Sequence, residues 1–174
     1  MMNNSGILIG TLRDLRIDAS IPTPRLAQVV DADAMTFGLK HSLVTASDCV
    51  RLSLQRLKMG HRLTDLEERT ALALSDDLRA VEDALWTRTL SDASRARAER
   101  YWCAVTFDVL LSQWETYDFP ESEALELNIG WGSDTAFNSI LRAGRTWHER
   151  RTPIQVGLCG VLEREIAEIS GLPS

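Results

Sequence analysis

The stretch SDASRARAERYWCAVTFDVLLSQWETY, residues 91–117, contains no glycine or proline, and along it Cys103, Phe107, Leu110, Trp114 and Tyr117 recur at spacings of four, three, four and three. Those spacings place the five side chains on one face of an α-helix. Trp102, Val105 and Val109 lie beside that face, so from Tyr101 onward the polar surface narrows to a strip carrying Asp108, Ser112 and Glu115. A helix apolar around so much of its circumference is an interior helix, and the rest of the chain is expected to pack around it.

Upstream, Thr64 and Glu67 form a capping-box pattern ahead of Ala71, Leu74, Leu78, Val81 and Leu85, which predicts one helix running to about Trp86. Residues 47–59 predict another, with Ser47 or Asp48 as cap, Val50, Leu54 and Leu57 as its stripe, Lys58 in the last turn and Gly60 just past the end. Residues 25–41 read as helix, turn, helix, with Asp31-Ala32-Asp33 as stop and new cap. Ile21-Pro22-Thr23-Pro24 is extended, because each proline fixes its own φ and disfavours the helical region for the residue before it. It sets residues 1–24 apart as an N-terminal arm or short element, in which Leu8, Leu12 and Leu15 suit a helix and Ile7, Ile9 and Ile17 would equally suit a strand.

Downstream, Asp118-Phe119-Pro120 ends the central pattern, and residues 121–132 read as one long irregular connection. Ser133 or Asp134 can cap a helix carrying Phe137, Ile140, Leu141 and Trp147, and Thr152-Pro153 opens a last helix with the stripe Leu158, Leu162, Ile166 and Ile169. The expected fold is therefore all-α: residues 25–174 as a single bundle-like or orthogonal domain of five to seven helices around a central buried helix at about 91–117. Its core is expected to hold Trp102, Phe107, Leu110, Trp114, Leu78, Val81, Phe137, Ile140, Leu158 and Leu162.

With 174 residues, 44% hydrophobic and 25% charged, the chain is long enough to bury a core of ordinary globular make-up. The net charge of −6 gives no general basic footprint for nucleic acid or anionic membrane. The acid is concentrated in residues 61–130, which carry fifteen Asp/Glu against seven Lys/Arg. Glu67, Glu68, Asp76, Asp77, Glu82 and Asp83 fall mostly on the solvent side of the predicted helix. Cys49, Cys103 and Cys159 lie far apart among apolar neighbours, which suits reduced thiols and not a disulfide framework. Residues 1–10 lack the basic region of a signal peptide, and no stretch reaches the roughly 20 apolar residues of a membrane span. A bacterial-style cytoplasmic protein is expected.

No motif announces chemistry. His41, His61 and His148 have no metal-ligand spacing on a common helix face. Gly130-Trp131-Gly132 lacks the third glycine, the preceding strand and the lysine of a nucleotide loop. Cys159, in Gly157-Leu158-Cys159-Gly160, reads as close helix packing and not as a nucleophile, and Asp108 reads as a structural acid held by an internal partner. No catalytic, cofactor or metal residue is assigned. The candidate working surface is Trp131 with Arg142, Arg145, Trp147, Arg150 and Arg151, because tryptophan and arginine often carry interface energy and these gather around the long connection. Its expected partner is an acidic protein. The alternative is that both tryptophans are core and the arginines answer the chain's own acids.

Two stretches carry a resemblance: Leu90-Ser91-Asp92 leading into an arginine-bearing helix, and Arg151-Thr152-Pro153-Ile154 opening the final helix after one over residues 134–147. In these the chain resembles bacterial antitoxins of the Xre and MbcA/ParS type, which join a helix-turn-helix module to a C-terminal toxin-binding helical domain. The resemblance spans about half the chain, and it departs from that family in the 118–132 insertion and in the recognition helix. It implies a non-enzymatic regulatory or neutralising protein that acts by binding another protein. A DNA-binding regulator using residues 26–41 is the second reading, and a small helical enzyme or ligand-binding protein the third. Residues 34–41 offer bases only Thr36, Lys40 and His41, with Asp31 and Asp33 repelling phosphate, so sequence-specific DNA binding is not expected. Self-association is left open.

Overall fold

In the computed structural model, which describes residues 5–132, 134–144 and 154–171, every regular element is helical and no strand occurs among the described residues. The α-helices are α1 Ser5–Asp14, α2 Pro24–Ala27, α3 Ala32–Lys40, α4 Ala46–Lys58, α5 Asp65–Ala71, α6 Leu78–Trp86, α7 Asp92–Ser112, α8 Pro120–Gly130, α9 Asn138–Gly144 and α10 Ile154–Ile169. Among the described residues ten α-helical segments stand where five to seven helices were expected, because several are only one or two turns long. The stretch expected as one helix from Thr64 to Trp86 is two, α5 and α6, joined through a 3-10 turn at Ser75–Asp77. The central pattern ends as α-helix at Ser112 and continues as a 3-10 turn, Trp114–Thr116. Residues 121–132, expected to be irregular, are mostly helix α8, started by Pro120 in the first turn where its missing N–H costs nothing.

By its contacts the chain divides into two compact units, one made of residues 19–102 and the other of residues 1–18 with 103–174. The expected core residues divide accordingly, with Trp102, Leu78 and Val81 in the first and the others in the second. All are buried except Leu78 and Ile140, which are half-buried.

In the first unit, α2 to α6 and the N-terminal part of α7 enclose Leu26, Met35, Leu52, Leu85 and Trp102. The buried aromatics of α7 spend their polar ends on backbone: the Tyr101 hydroxyl donates to the Leu26 carbonyl at 3.2 Å and the Trp102 indole N–H to the Ala34 carbonyl at 2.7 Å. Trp102 also fixes how closely α3 approaches, since a Cβ on Gly38 would lie 2.6 Å from its ring. The entry to α3 is charge-clamped. Asp31 caps Ala34 N–H at 2.8 Å and pairs with Arg97, while Asp33 takes Arg88 at 2.6 Å. Burial opposes ionisation of Asp33, but the Ser94 hydrogen bond and Arg88 outweigh it and hold the carboxyl below its ordinary value. Helix α4 begins one residue before Ser47, the cap being Thr45, which forms a capping box with Asp48.

In the second unit α1 packs on α8, α8 on α9 and α9 on α10. Leu8, Leu12 and Leu15 are buried, so the helical reading of that segment holds over the strand reading. Gly130 lies where α8 faces α1, and a Cβ there would meet Thr11 and Leu8 at 3.3–3.4 Å. Phe107 stacks on Phe137 with ring centres 3.8 Å apart, and the Tyr117 hydroxyl donates to the Leu15 carbonyl at 2.8 Å.

Candidate docking groove between α5 and α6

The local sequence separates α5 from α6 and leaves a groove between them. Thr64 and Glu67 start α5 by reciprocal capping, the Glu67 carboxylate accepting from the Thr64 N–H at 2.7 Å and the Thr64 hydroxyl at 2.8 Å. The other Glu67 oxygen accepts from Arg56 of α4 at 2.6 Å. Glu67 is thus only 3% exposed, against the expectation that it would sit on a solvated face. Burial pushes its carboxyl up, and the Thr64 donors and Arg56 more than offset this, so it stays ionised below the usual range. Helix α5 is therefore held to α4 along one side, with Ala71 and Thr70 buried and the Thr70 hydroxyl returned to the Leu66 carbonyl at 2.7 Å.

The chain then turns. Leu74 is extended, its N–H donating to the Asp77 carboxylate at 3.4 Å, and α6 starts at Leu78 with Val81 and Leu85 buried. The flank of α6 toward the groove carries Ala80 and Ala84, both exposed and too short to close it. The result is an open groove of about 330 Å³ whose walls are Leu66, Thr70 and Ala73 on one side and Ala80, Val81 and Ala84 on the other. Leu72, Arg69 and Asp77 complete its lining. Leu72 is 62% exposed and Leu74, in the turn at its end, 71%. Trp86, closing α6, is also exposed. Adjacent large apolar side chains left in water on a small surface mark an interaction site more often than chance exposure does.

The surroundings are acidic. Residues 65–86 hold seven Asp/Glu against Arg69 and Arg79, and of the acids only Glu67 is buried. Asp83, one turn beyond Ala80, and Asp77, one turn before it, share its side of the helix.

The surface expected from the sequence is placed only in part. Trp131 is buried, and its indole N–H donates to the Thr106 hydroxyl at 2.9 Å, so its polar end is used inside the fold. Arg142 is exposed on α9. Arg145, Trp147, Arg150 and Arg151 lie outside the described residues. Helix α3, the candidate recognition helix, is buried from Ala34 to Leu39, and the Lys40 ammonium donates to the Arg88 carbonyl at 2.6 Å.

Among the described residues no three His, Cys, Asp or Glu side chains converge as metal ligands, and no helix is long and apolar enough to cross a membrane. Cys159 is exposed, not packed against a neighbouring helix; the close approach in that segment belongs to Gly157, whose Cβ would meet Ile140 at 3.0 Å. Partial burial, Glu163 and Asp108 raise the Cys159 thiol above its ordinary value, the opposite of what a nucleophile needs. Burial and Asp48 push Cys49 up to about 12. Comparison of the chain with protein-family models, with curated proteins and with solved structures returned no match.

Proposed function

We propose that this chain is a non-enzymatic regulatory or neutralising protein that works by binding another protein, and that the α5–α6 groove is its docking surface. The observation that carries the reading is the open apolar groove with Leu72 and Leu74 standing in water beside it. Neither leucine contributes much to the fold where it stands, and burying what remains exposed of the two would return ~2–4 kcal/mol. The raised thiols and the spent polar end of Trp131 supply no alternative chemistry of comparable weight, and the buried flank of α3 leaves little for a DNA groove to read. A neutralising, antitoxin-like role is in keeping with the resemblance noted in the sequence.

The test places a photo-crosslinking amino acid at position 80 in the full chain, in lysate of the cells that make it. One dominant protein adduct is expected, lost in the Leu72→Glu, Leu74→Glu variant while the melting temperature stays within about 2 °C, as suits exposed positions. An adduct that survives that variant, or no adduct from position 80, refutes the groove. Loss of the partner on reversing Arg145 and Arg150 to Glu instead would move the working surface to the basic cluster and an acidic partner.

A further inference from the structure

We infer that the segment seated in the α5–α6 groove is a cationic amphipathic helix of another protein. The inference rests on the docking reading above and adds the chemistry of the occupant. Three features of the groove select it.

The first is backbone chemistry. An extended peptide docks by adding to a sheet edge with unpaired N–H and C=O groups, and the groove, walled by two helices and the turn that joins them, offers no strand among the described residues. A polyproline segment needs an aromatic-lined trough, and none of the residues lining this groove is aromatic. A helix needs neither, since it satisfies its own backbone and offers only side chains.

The second is spacing. The lining residues Leu66, Arg69 and Thr70 on α5, and Ala80, Val81 and Ala84 on α6, lie three and four apart, with Leu72, Ala73 and Asp77 in the turn between the helices. They form two short ridges of about one turn, ~6 Å each, which match anchors at i and i+3 or i+4 on a facing helix. The alanines of α6 are what let such a helix come close.

The third is charge. Asp65, Glu68, Asp76, Asp77 and Asp83 are exposed on the two helices or the turn between them, against Arg69 and Arg79. Asp77 and Arg69 line the groove itself, and a partner carrying Lys or Arg beside its apolar stripe meets the net acidic surface around it, whereas one carrying acids is repelled. Exposed pairs of this kind set partner choice and association rate more than depth of binding.

The probe is a fluorescein-labelled eighteen-residue helical peptide with leucines at i, i+4, i+7 and i+11 and lysines flanking the stripe, titrated by anisotropy against the full chain. Three companions share its length: a twin with glutamates in place of the lysines, a version with the leucines scattered, and one with a central proline. The basic helical peptide is expected to bind at least tenfold tighter than each companion, its advantage over the acidic twin shrinking severalfold from 50 mM to 1 M salt as the Debye length falls. Ala80→Trp, which fills an exposed part of the groove, is expected to abolish binding. Asp76→Lys with Asp83→Lys, both exposed, is expected to reverse the preference between the charged twins. Equal binding of the twins, of the scattered peptide or of the proline peptide overturns the inference, as does binding untouched by Ala80→Trp or absence of binding by all four. The crosslink from position 80 separates the two claims: if it forms and the basic peptide does not prevail, the groove stands and its cationic occupant falls; if it does not form, both fall.

Discussion

Replacing Gly38 by alanine sets two effects of opposite sign against each other at one residue. Gly38 is the seventh residue of α3, and in a helix interior Ala is favoured over Gly by ~1 kcal/mol, so propensity alone predicts a more stable protein. The site says otherwise. A Cβ built there lies 2.6 and 2.7 Å from two atoms of the Trp102 ring and 2.9 Å from a Val44 methyl, all closer than carbon atoms pack. Trp102 cannot step aside freely, because it is fully buried and its N–H is bonded to Ala34 at 2.7 Å. Overpacking of this kind costs ~1–3 kcal/mol, and three contacts on two rigid neighbours put it at the upper end. Net of the helix gain, Gly38→Ala is expected to destabilise by ~2 kcal/mol, a fall of ~4–8 °C in melting temperature for a chain of this size. Urea denaturation followed by far-UV circular dichroism measures it. Gly160→Ala is the control: that helical glycine has nothing within 4 Å of its Cβ position, so it is expected to gain stability, up to ~1 kcal/mol. If Gly38→Ala proves as stable as the parent or more so, α3 does not ride on the Trp102 ring as described.

Glu67→Gln removes one partner of a buried ion pair and is expected to cost ~3 kcal/mol by urea titration, Arg56 being left without its countercharge. The folded Glu67 carboxyl titrates below its ordinary value of ~4.3, so the stability it contributes is present above that pH and is lost as pH falls through the folded value. Stability measured from pH 6 downward should therefore fall less steeply in Glu67→Gln than in the parent; parallel acid limbs would refute the clamp. With both thiols raised, Cys159 should alkylate at pH 7 more slowly than free cysteine and Cys49 only on unfolding, which mass spectrometry after timed iodoacetamide exposure will show. A burst of labelling at Cys159 at neutral pH would contradict the electrostatics around α10.

The helices were legible where their ends carry side-chain chemistry. Thr64 and Glu67 announce α5 because the two residues that cap it lie three apart in sequence, and the stripe Leu158, Leu162, Ile166, Ile169 is α10 as expected. The break between α5 and α6 was hidden because Ala71, Leu74, Leu78, Val81 and Leu85 keep the helical spacing straight through it. What ends α5 is local, an extended Leu74 bonded to Asp77, and periodicity does not register it. That same break exposes Leu72 and Leu74 and opens the groove, so the candidate site was missed for the reason the break was. Gly130 misled in the opposite direction: it reads as a loop glycine, yet it is helical, and its missing side chain leaves room for Thr11 and Leu8, residues far away in sequence. Trp131 looked like an interface anchor because a tryptophan between two glycines gives no periodic cue to burial, and its Thr106 partner lies on another helix.

The unit built from residues 1–18 and 103–174 has a consequence for synthesis. Helix α1 finds its partner, α8, only after a hundred-odd intervening residues have been made. At ~5–20 residues per second that wait lasts roughly 5–20 s, and closing so long a loop costs ~4 kcal/mol of chain entropy before the contact returns anything. The contiguous unit 19–102 waits less, since α3 meets α6 after about forty further residues and Trp102 lies 68 residues from the Ala34 carbonyl it bonds. During the interval Leu8, Leu12 and Leu15 form an apolar stripe without its native cover, and the nascent chain is then a substrate for any chaperone that recognises short exposed hydrophobic segments. A ribosome stalled near residue 110 would display α1 in that state.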